Sequence, residues 1–161
     1  MKRILFGFIL LAMAVVSNAQ GTSQRNYVSA KPSSVSTLKI DGNINVTLVV
    51  APNEPNVFID GSENFTKNVK TSFEDGVISI RANTSSKSEN DVVVIYAPSL
   101  SELELNGDIK FKTIGTINAD NLQLSINGNC KLLVQHAGKL DIRIDDDYEL
   151  IEERVIRPKS K

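Results

Sequence analysis

The second half of the chain alternates apolar and polar residues in three short segments. Each segment is typical of a strand with one buried and one solvent-exposed face, because successive side chains of a strand point to opposite sides. The segments begin at Leu103, Leu122 and Leu140, so their starts lie 19 and 18 residues apart. This spacing predicts one structural unit stacked on itself, in place of a pocket built into a single globular core.

Asparagine and glycine mark the ends of these units. Asn106-Gly107 and Asn127-Gly128 occupy matching places after the apolar alternation, and Gly115 and Gly138 mark the corners between units. Both residue types tolerate the left-handed backbone angles that tight corners need. No unit holds a segment with the length and spacing of a helix, so the pattern favours a parallel β-helix over a leucine-rich repeat.

The first half of the chain predicts strands with one short helical interruption. Apolar alternation recurs between residues 38 and 80, and Asp75-Gly76 predicts a type I′ hairpin turn. Residues 62–67 are the one place for a helical turn, with Ser62 as the N-cap and Phe65 pointing inward. We therefore expect an all-β fold, in which antiparallel N-terminal strands lead into a short single-stranded right-handed parallel β-helix.

The N-terminus has the pattern of an export signal. Lys2 and Arg3 precede an apolar run that ends before Ser17-Asn18-Ala19, which predicts a signal peptide over residues 1–19. The run is shorter than the roughly 20 residues that cross a bilayer, so we expect no retained membrane anchor.

Three segments follow the predicted cleavage point. Residues 20–34 are polar and predict a flexible arm, with an edge strand at Tyr27-Val28 as the alternative. Residues 35–161 form the predicted domain, with its repeats over about 100–148. Residues 149–161 predict a C-terminal cap, because an exposed last rung would template aggregation.

Composition and charge narrow the class of partner. The chain has 18 Lys and Arg residues, and loss of Lys2 and Arg3 leaves 16 against 19 acidic residues, a net charge of −3. That balance excludes the electrostatic footprint of a nucleic-acid-binding protein. Aromatic residues make up only 6% and Trp is absent, so burial must come from Val, Ile and Leu, which suits strands.

Few residues offer catalytic chemistry. His136 is the single histidine and Cys130 the single cysteine, so no catalytic triad or Cys–His pair can be argued. His136 lies beside Gly138 at a unit boundary, which predicts a solvated corner. Cys130 lies at the end of a strand, which predicts a buried and inert thiol.

One acidic cluster offers ligands for a metal ion. It consists of Asp141, Asp145, Asp146 and Asp147. Hard cations such as calcium take oxygen ligands, so Asp145, Asp146 and Asp147 are the candidate metal ligands. A solvated turn is the alternative, because the segment lacks the ligand spacing of an EF-hand loop.

The order of short motifs along the chain resembles a known family. Asp41-Gly42-Asn43-Ile44-Asn45-Val46 looks like the motif that names the head GIN domain, and residues 69–80 and 92–100 continue the likeness into the Leu-x-Leu repeats. Over residues 35–145 the chain is thus similar to the auto-transporter adhesin family found widely in Bacteroidetes. The resemblance implies an exported, β-rich domain without transferable catalytic residues. Fewer repeats and the acidic corner at 145–147 set this chain apart.

The sequence therefore predicts a non-catalytic, exported, adhesin-like binding module of the bacterial cell envelope that needs no cofactor. A flat sheet face rich in Asn, Lys and Ser would bind a glycan or surface protein through many weak contacts strengthened by multivalency. Two alternatives stay open. One is a scaffold that stacks end to end as a homo-oligomer, and the other is a polysaccharide-active enzyme with calcium at Asp145–Asp147.

Overall fold

The computed structural model describes residues 24–29, 35–52, 55–84, 88–98, 100–145 and 148–155. The predicted signal peptide, residues 1–19, lies outside the described residues. The described part is all β apart from one short helix, α1 (Glu63–Asn68). The strands are β1 (Gln24–Ser29), β2 (Thr37–Gly42), β3 (Ile44–Val50), β4 (Asn56–Gly61), β5 (Val69–Glu74), β6 (Val77–Ala82), β7 (Val92–Ala97), β8 (Glu102–Asn106), β9 (Ile109–Ile114), β10 (Asn121–Asn127), β11 (Cys130–His136), β12 (Lys139–Ile144) and β13 (Tyr148–Arg154).

The strands form two sheets that share the core between them. Sheet A has seven strands in the order β1-β4-β7-β3-β9-β11-β13, and sheet B has six in the order β12-β10-β8-β2-β6-β5. Strands β2 and β3, and all consecutive strands from β6 to β13, alternate between sheet B and sheet A, so each of these pairs forms one rung with a strand in each sheet. In space the rungs follow the order β6–β7, β2–β3, β8–β9, β10–β11 and β12–β13.

The predicted stacking of the repeats is confirmed, with one change of register. Strands β8, β10 and β12 pair in parallel, and Asn106 pairs with Asn127 as the matching Asn-Gly corners predicted. Leu122 pairs with Leu140, as expected, but Leu103 pairs with Leu124. The first unit is therefore two residues longer than its sequence spacing indicates, because β10 begins earlier in its rung than β8 does.

The stacked architecture also extends into the first half of the chain, where we expected antiparallel strands. Strand β2 pairs in parallel with both β6 and β8, and β3 pairs in parallel with both β7 and β9. Antiparallel pairing occurs only between β1 and β4, β4 and β7, and β5 and β6 among the described strands. The β2–β3 rung lies inside the stack because the chain leaves it through β4, α1 and β5 and returns on its other side.

Local signals in the first half are confirmed. Asp75 and Gly76 have φ values of 48° and 78°, as a type I′ turn between β5 and β6 requires. The Ser62 hydroxyl accepts a hydrogen bond from the Phe65 amide at 3.3 Å, and the Phe65 side chain is buried. Residues 24–29 of the predicted flexible arm form β1, so the edge-strand alternative describes them; the rest of the arm lies outside the described residues.

The two ends of the stack differ. Helix α1 joins β4 to β5 and contacts β1, and it places Phe65 in the core at the first end. At the other end, residues 148–154 form β13, which extends sheet A beside β11. This part of the predicted cap therefore adds a strand to the last rung without covering it, since Ile142 and Ile144 stay 36% and 37% exposed. Residues 156–161 lie outside the described residues.

A column of glycines lines the corner that joins sheet B to sheet A. Gly42, Gly107 and Gly128 end or follow β2, β8 and β10 with φ values of 119°, 118° and 124°. A Cβ at Gly107 would lie 2.5 Å from the Gly42 carbonyl oxygen, and one at Gly128 would lie 2.4 Å from the Gly107 carbonyl oxygen. The rungs can approach at this corner only because each residue lacks a side chain.

Candidate functional site

The outward surface of sheet B, which we call the polar face, carries polar side chains from neighbouring strands. Alternation along each strand turns the apolar residues to the core and the polar residues outward. In-register pairing then places outward side chains of neighbouring strands in rows. The residues of the polar face are Lys39, Asp41, Lys70, Ser72, Ser79, Arg81, Glu102, Glu104, Asn106, Gln123 and Ser125.

Cross-strand contacts hold the polar face in a defined arrangement. The Lys39 ammonium lies 2.8 Å from one Glu104 carboxylate oxygen and 3.0 Å from the other. The hydrogen bond to Glu104 raises the pKa of Lys39 above its usual range, so this ammonium stays charged at neutral pH. Arg81 Nε lies 3.2 Å from Asp41, whose other carboxylate oxygen accepts from Asn106 at 3.4 Å.

A shallow groove of about 630 Å³ runs along the polar face between β5 and β8. Its charged and amide groups alternate across the strands at the sheet spacing of roughly 4.8 Å. Donors from Arg81 and Asn106 thus lie beside acceptors from Asp41 and Glu104. Such a surface offers paired hydrogen bonds to a ligand that carries both donors and acceptors, as sugar hydroxyl groups do.

The outward surface of sheet A has a different character. Its groove of about 260 Å³ is lined by residues that include Asn45, Thr47, Lys110 and Lys112. Apolar side chains interrupt this surface, including Ile114 at 54% exposure and the edge-to-face pair of Phe58 and Tyr96.

The prediction for His136 is wrong. It is 1% exposed, and its Nε2 lies 2.8 Å from the Glu152 carboxylate, while its Nδ1 has no hydrogen-bond partner among the described residues. The reason is that β11 continues to residue 136, and the alternation of side chains along this strand turns His136 inward. Its backbone pairs with Ile117 in a parallel bridge. The predicted burial of Cys130 is confirmed, because it is fully buried and its Sγ lies 3.5 Å from the Gly107 carbonyl oxygen. The inertness of this thiol stays a prediction.

The contact between His136 and Glu152 yields a stability prediction. Glu152→Ala leaves a buried imidazole with neither nitrogen paired to protein, so we expect the free energy of unfolding to fall by about 1–3 kcal/mol. Glu152→Gln keeps a hydrogen-bonding group at the same place and should lose less. Urea denaturation measures both, and Glu153→Ala on the exposed side of β13 is the control. Equal losses for all three variants would contradict a specific role of this contact.

The acidic cluster is only partly described. Asp145 is exposed, and Asp146 and Asp147 lie outside the described residues. Asp141 contacts the Lys139 ammonium at 2.6 Å, and hydrogen bonds from Lys139 and Asn121 lower the pKa of its carboxyl group. No group of three or more metal-ligating side chains occurs within the described ranges. Calcium binding at Asp145–Asp147 stays a prediction.

The polar face could not be assembled from the sequence. Lys39 and Glu104 are 65 residues apart, and so are Asp41 and Asn106. The alternation predicts that these residues face outward, but only the parallel pairing of β2 with β8 brings them together. In the chain, β4, α1, β5, β6 and β7 lie between the neighbouring rungs β2–β3 and β8–β9, and this separation hid that pairing.

Comparison with known proteins supports the resemblance noted from the motifs. The family described as "Putative auto-transporter adhesin, head GIN domain" matches residues 35–149. A search of curated proteins finds no match to the chain. In the part of the chain that the structure describes, no helix has the length and apolar character that crossing a membrane would need.

Several solved structures share the fold. A putative adhesin from Parabacteroides merdae is 19% identical with a TM-score of 0.64, and the alignment covers 83% of this chain and 57% of that protein. A putative adhesin from Bacteroides fragilis is 18% identical with a TM-score of 0.54, over 76% of this chain and 62% of that one. A putative lipid binding protein from Parabacteroides distasonis is 15% identical with a TM-score of 0.52, over 84% and 68%. The chain thus spans 57% of the length of the Parabacteroides merdae protein.

Proposed function

Since the chain belongs to the family described as putative auto-transporter adhesin, head GIN domain, we propose that it is an exported, non-catalytic, adhesin-like binding module of the bacterial cell envelope. Export rests on the N-terminal charge, apolar run and small residues before position 20. The polar face is the proposed binding surface, and a glycan is the proposed ligand class. The observation that carries this assignment is the row-by-row arrangement of paired donors and acceptors across sheet B.

The arrangement suits weak and repeated binding. Its groups lie on a shallow open groove, so each ligand contact remains solvated and contributes little by itself. Several sugar units along one polymer, or several modules on one surface, would then raise the overall affinity through effective concentration. This is the behaviour expected of an adhesive surface and differs from that of an enclosed enzyme pocket.

The wound architecture is part of the proposal. We propose that the rungs form a right-handed parallel β-helix, because crossover connections between parallel strands are right-handed in about 98% of cases. The β-helix keeps the polar face rigid, and this rigidity reduces the conformational entropy lost on binding.

The two alternatives have less support. Stacking from end to end requires two open ends, and α1 occupies the first end with Phe65 in the core. A polysaccharide-active enzyme needs a pair of carboxylates free to exchange protons. The residues predicted for that activity are Asp145–Asp147, of which Asp145 alone is described, while on the polar face Glu104 contacts Lys39 and Asp41 contacts Arg81.

A glycan array with a multimeric form of the full chain tests the proposal. Arg81→Ala combined with Asn106→Ala removes the donors beside Asp41, so we expect signals on bound glycans to fall about tenfold. Lys112→Ala combined with Gln135→Ala on sheet A is the matched control and should keep the signals. An array without signal, or loss of signal in the control pair alone, would contradict the assignment to the polar face.

A further inference from the structure

Strand β12 ends sheet B and leaves one edge of its backbone open. The Lys139 amide donates to the Asp120 carbonyl at 2.9 Å, and the Asp145 amide donates to the Ile126 carbonyl at 3.1 Å. The backbone groups of successive strand residues point to alternate sides. Residues 140, 142 and 144 therefore direct their N–H and C=O groups to the free edge, where no described strand receives them.

The same strand leaves apolar side chains uncovered on its core side. Ile142 and Ile144 pair in register with Leu124 and Ile126, which are 0% and 2% exposed, yet they are themselves 36% and 37% exposed. Their exposure follows from position alone, because one more rung would bury them as the preceding rung is buried. An open edge beside exposed apolar side chains is a template for a further strand.

The sequence of β12 is complementary to itself in antiparallel pairing. With Ile142 opposite the partner's Ile142, Asp141 faces the partner's Arg143 and Lys139 faces the partner's Asp145. Leu140 then faces the partner's Ile144 on the core side. Every outward pair joins opposite charges, and every inward pair is apolar.

The open backbone groups select the same register. Residues 140, 142 and 144 direct their N–H and C=O groups to the free edge. In this register they would exchange hydrogen bonds with residues 144, 142 and 140 of the partner. The charged pairs would then occupy the non-hydrogen-bonded positions, where Cα atoms approach to about 4.5 Å and side chains interact most closely. A shift of two residues in either direction opposes Asp141 with the partner's Asp141, or Arg143 with the partner's Arg143, so the neighbouring registers are repulsive.

We propose that two copies of this chain associate tail to tail through antiparallel pairing of β12 with β12. The contact joins sheet B of one copy to sheet B of the other and covers Ile142 and Ile144. Strand β13 lacks this complementarity, because self-pairing about Ile151 opposes Glu149 with the partner's Glu153, so β12 carries the attraction. The dimer doubles the polar face without covering it, and it stands independently of the proposed glycan.

Charge reversal tests this dimer with the full chain. In sedimentation velocity, the wild type should show a monomer–dimer equilibrium that depends on concentration. Arg143→Asp opposes Asp141 with an acidic residue at both symmetric pairs, and Asp141→Arg opposes two basic residues. Each single variant should raise the dissociation constant about tenfold or more. The double variant, Asp141→Arg with Arg143→Asp, restores opposite charges and should restore the dimer.

Mixing the two single variants gives the decisive measurement. An equimolar mixture places only opposite charges across the strand pair, so a heterodimer should form although neither variant dimerises alone. Both substituted residues are at the surface, and circular dichroism confirms that each variant is folded. A wild-type monomer at all concentrations would overturn the proposal. A dimer that ignores both reversals would also overturn it, since the contact would then lie elsewhere.

Discussion

Gly128→Ala is expected to lower the free energy of unfolding by about 3 kcal/mol or more. Two effects add at this position. The φ value of 124° lies in a region that a residue with a Cβ adopts only under strain, and the new Cβ would lie 2.4 Å from the Gly107 carbonyl oxygen. That oxygen cannot retreat easily, because Gly107 is itself held by a hydrogen bond from its amide to the Asn127 carbonyl at 2.8 Å. The change therefore pushes two rungs apart.

Gly115→Ala is the matched control. Gly115 also has a positive φ, 87°, but its Cβ would meet Val50 atoms at 3.3 and 3.4 Å, which requires only a small adjustment. We expect a loss of about 1 kcal/mol from backbone strain. Urea unfolding followed by circular dichroism measures both variants. If Gly115→Ala and Gly128→Ala lose the same free energy, the close contact between rungs is not what requires glycine.

The glycine column shows what the sequence could predict about the fold. Asn-Gly after apolar alternation predicted corners at 106–107 and 127–128, and both form. The sequence could not show that Gly42 belongs to the same column, because 64 residues lie between it and Gly107 and the intervening chain forms a rung on the other side of β2–β3. Local signals depend on a few neighbouring residues, whereas the order of rungs depends on which strands pair.

The last rung, β12–β13, shows the same difference between local signals and strand pairing. Alternation at Leu140, Ile142 and Ile144 predicted inward side chains, and their register with the preceding rung confirms this. A cap over them was also predicted from residues 149–161, but β13 pairs with β11 at the side. Among residues 148–154, the charged side chains at 149, 152, 153 and 154 leave little apolar surface for covering the rung. Residues 156–161 lie outside the described residues, and a cap formed by them stays a prediction.

Leu124→Ala is expected to lower the free energy of unfolding by about 3 kcal/mol. The side chain is fully buried between Leu103 and Ile142 in the stack, and neighbouring rungs are held too firmly by their backbone hydrogen bonds to close the cavity. Ile142→Ala removes a side chain of similar size at the same register, but 36% exposure leaves less buried surface to lose. At low protein concentration we expect this variant to lose about 1 kcal/mol.

Comparing Leu124→Ala with Ile142→Ala also tests whether a second copy of the chain covers this end of the stack. If two copies cover Ile142, dimerisation stabilises the wild type in proportion to protein concentration, and Ile142→Ala should lose part of that gain. The cost of Ile142→Ala should therefore grow as the protein is concentrated, whereas the cost of Leu124→Ala should change much less. Thermal unfolding at low and high concentration measures both. A cost of Ile142→Ala that stays constant would mean that this end of the stack faces solvent in every state, and that the complementary charges of β12 have no partner strand to meet.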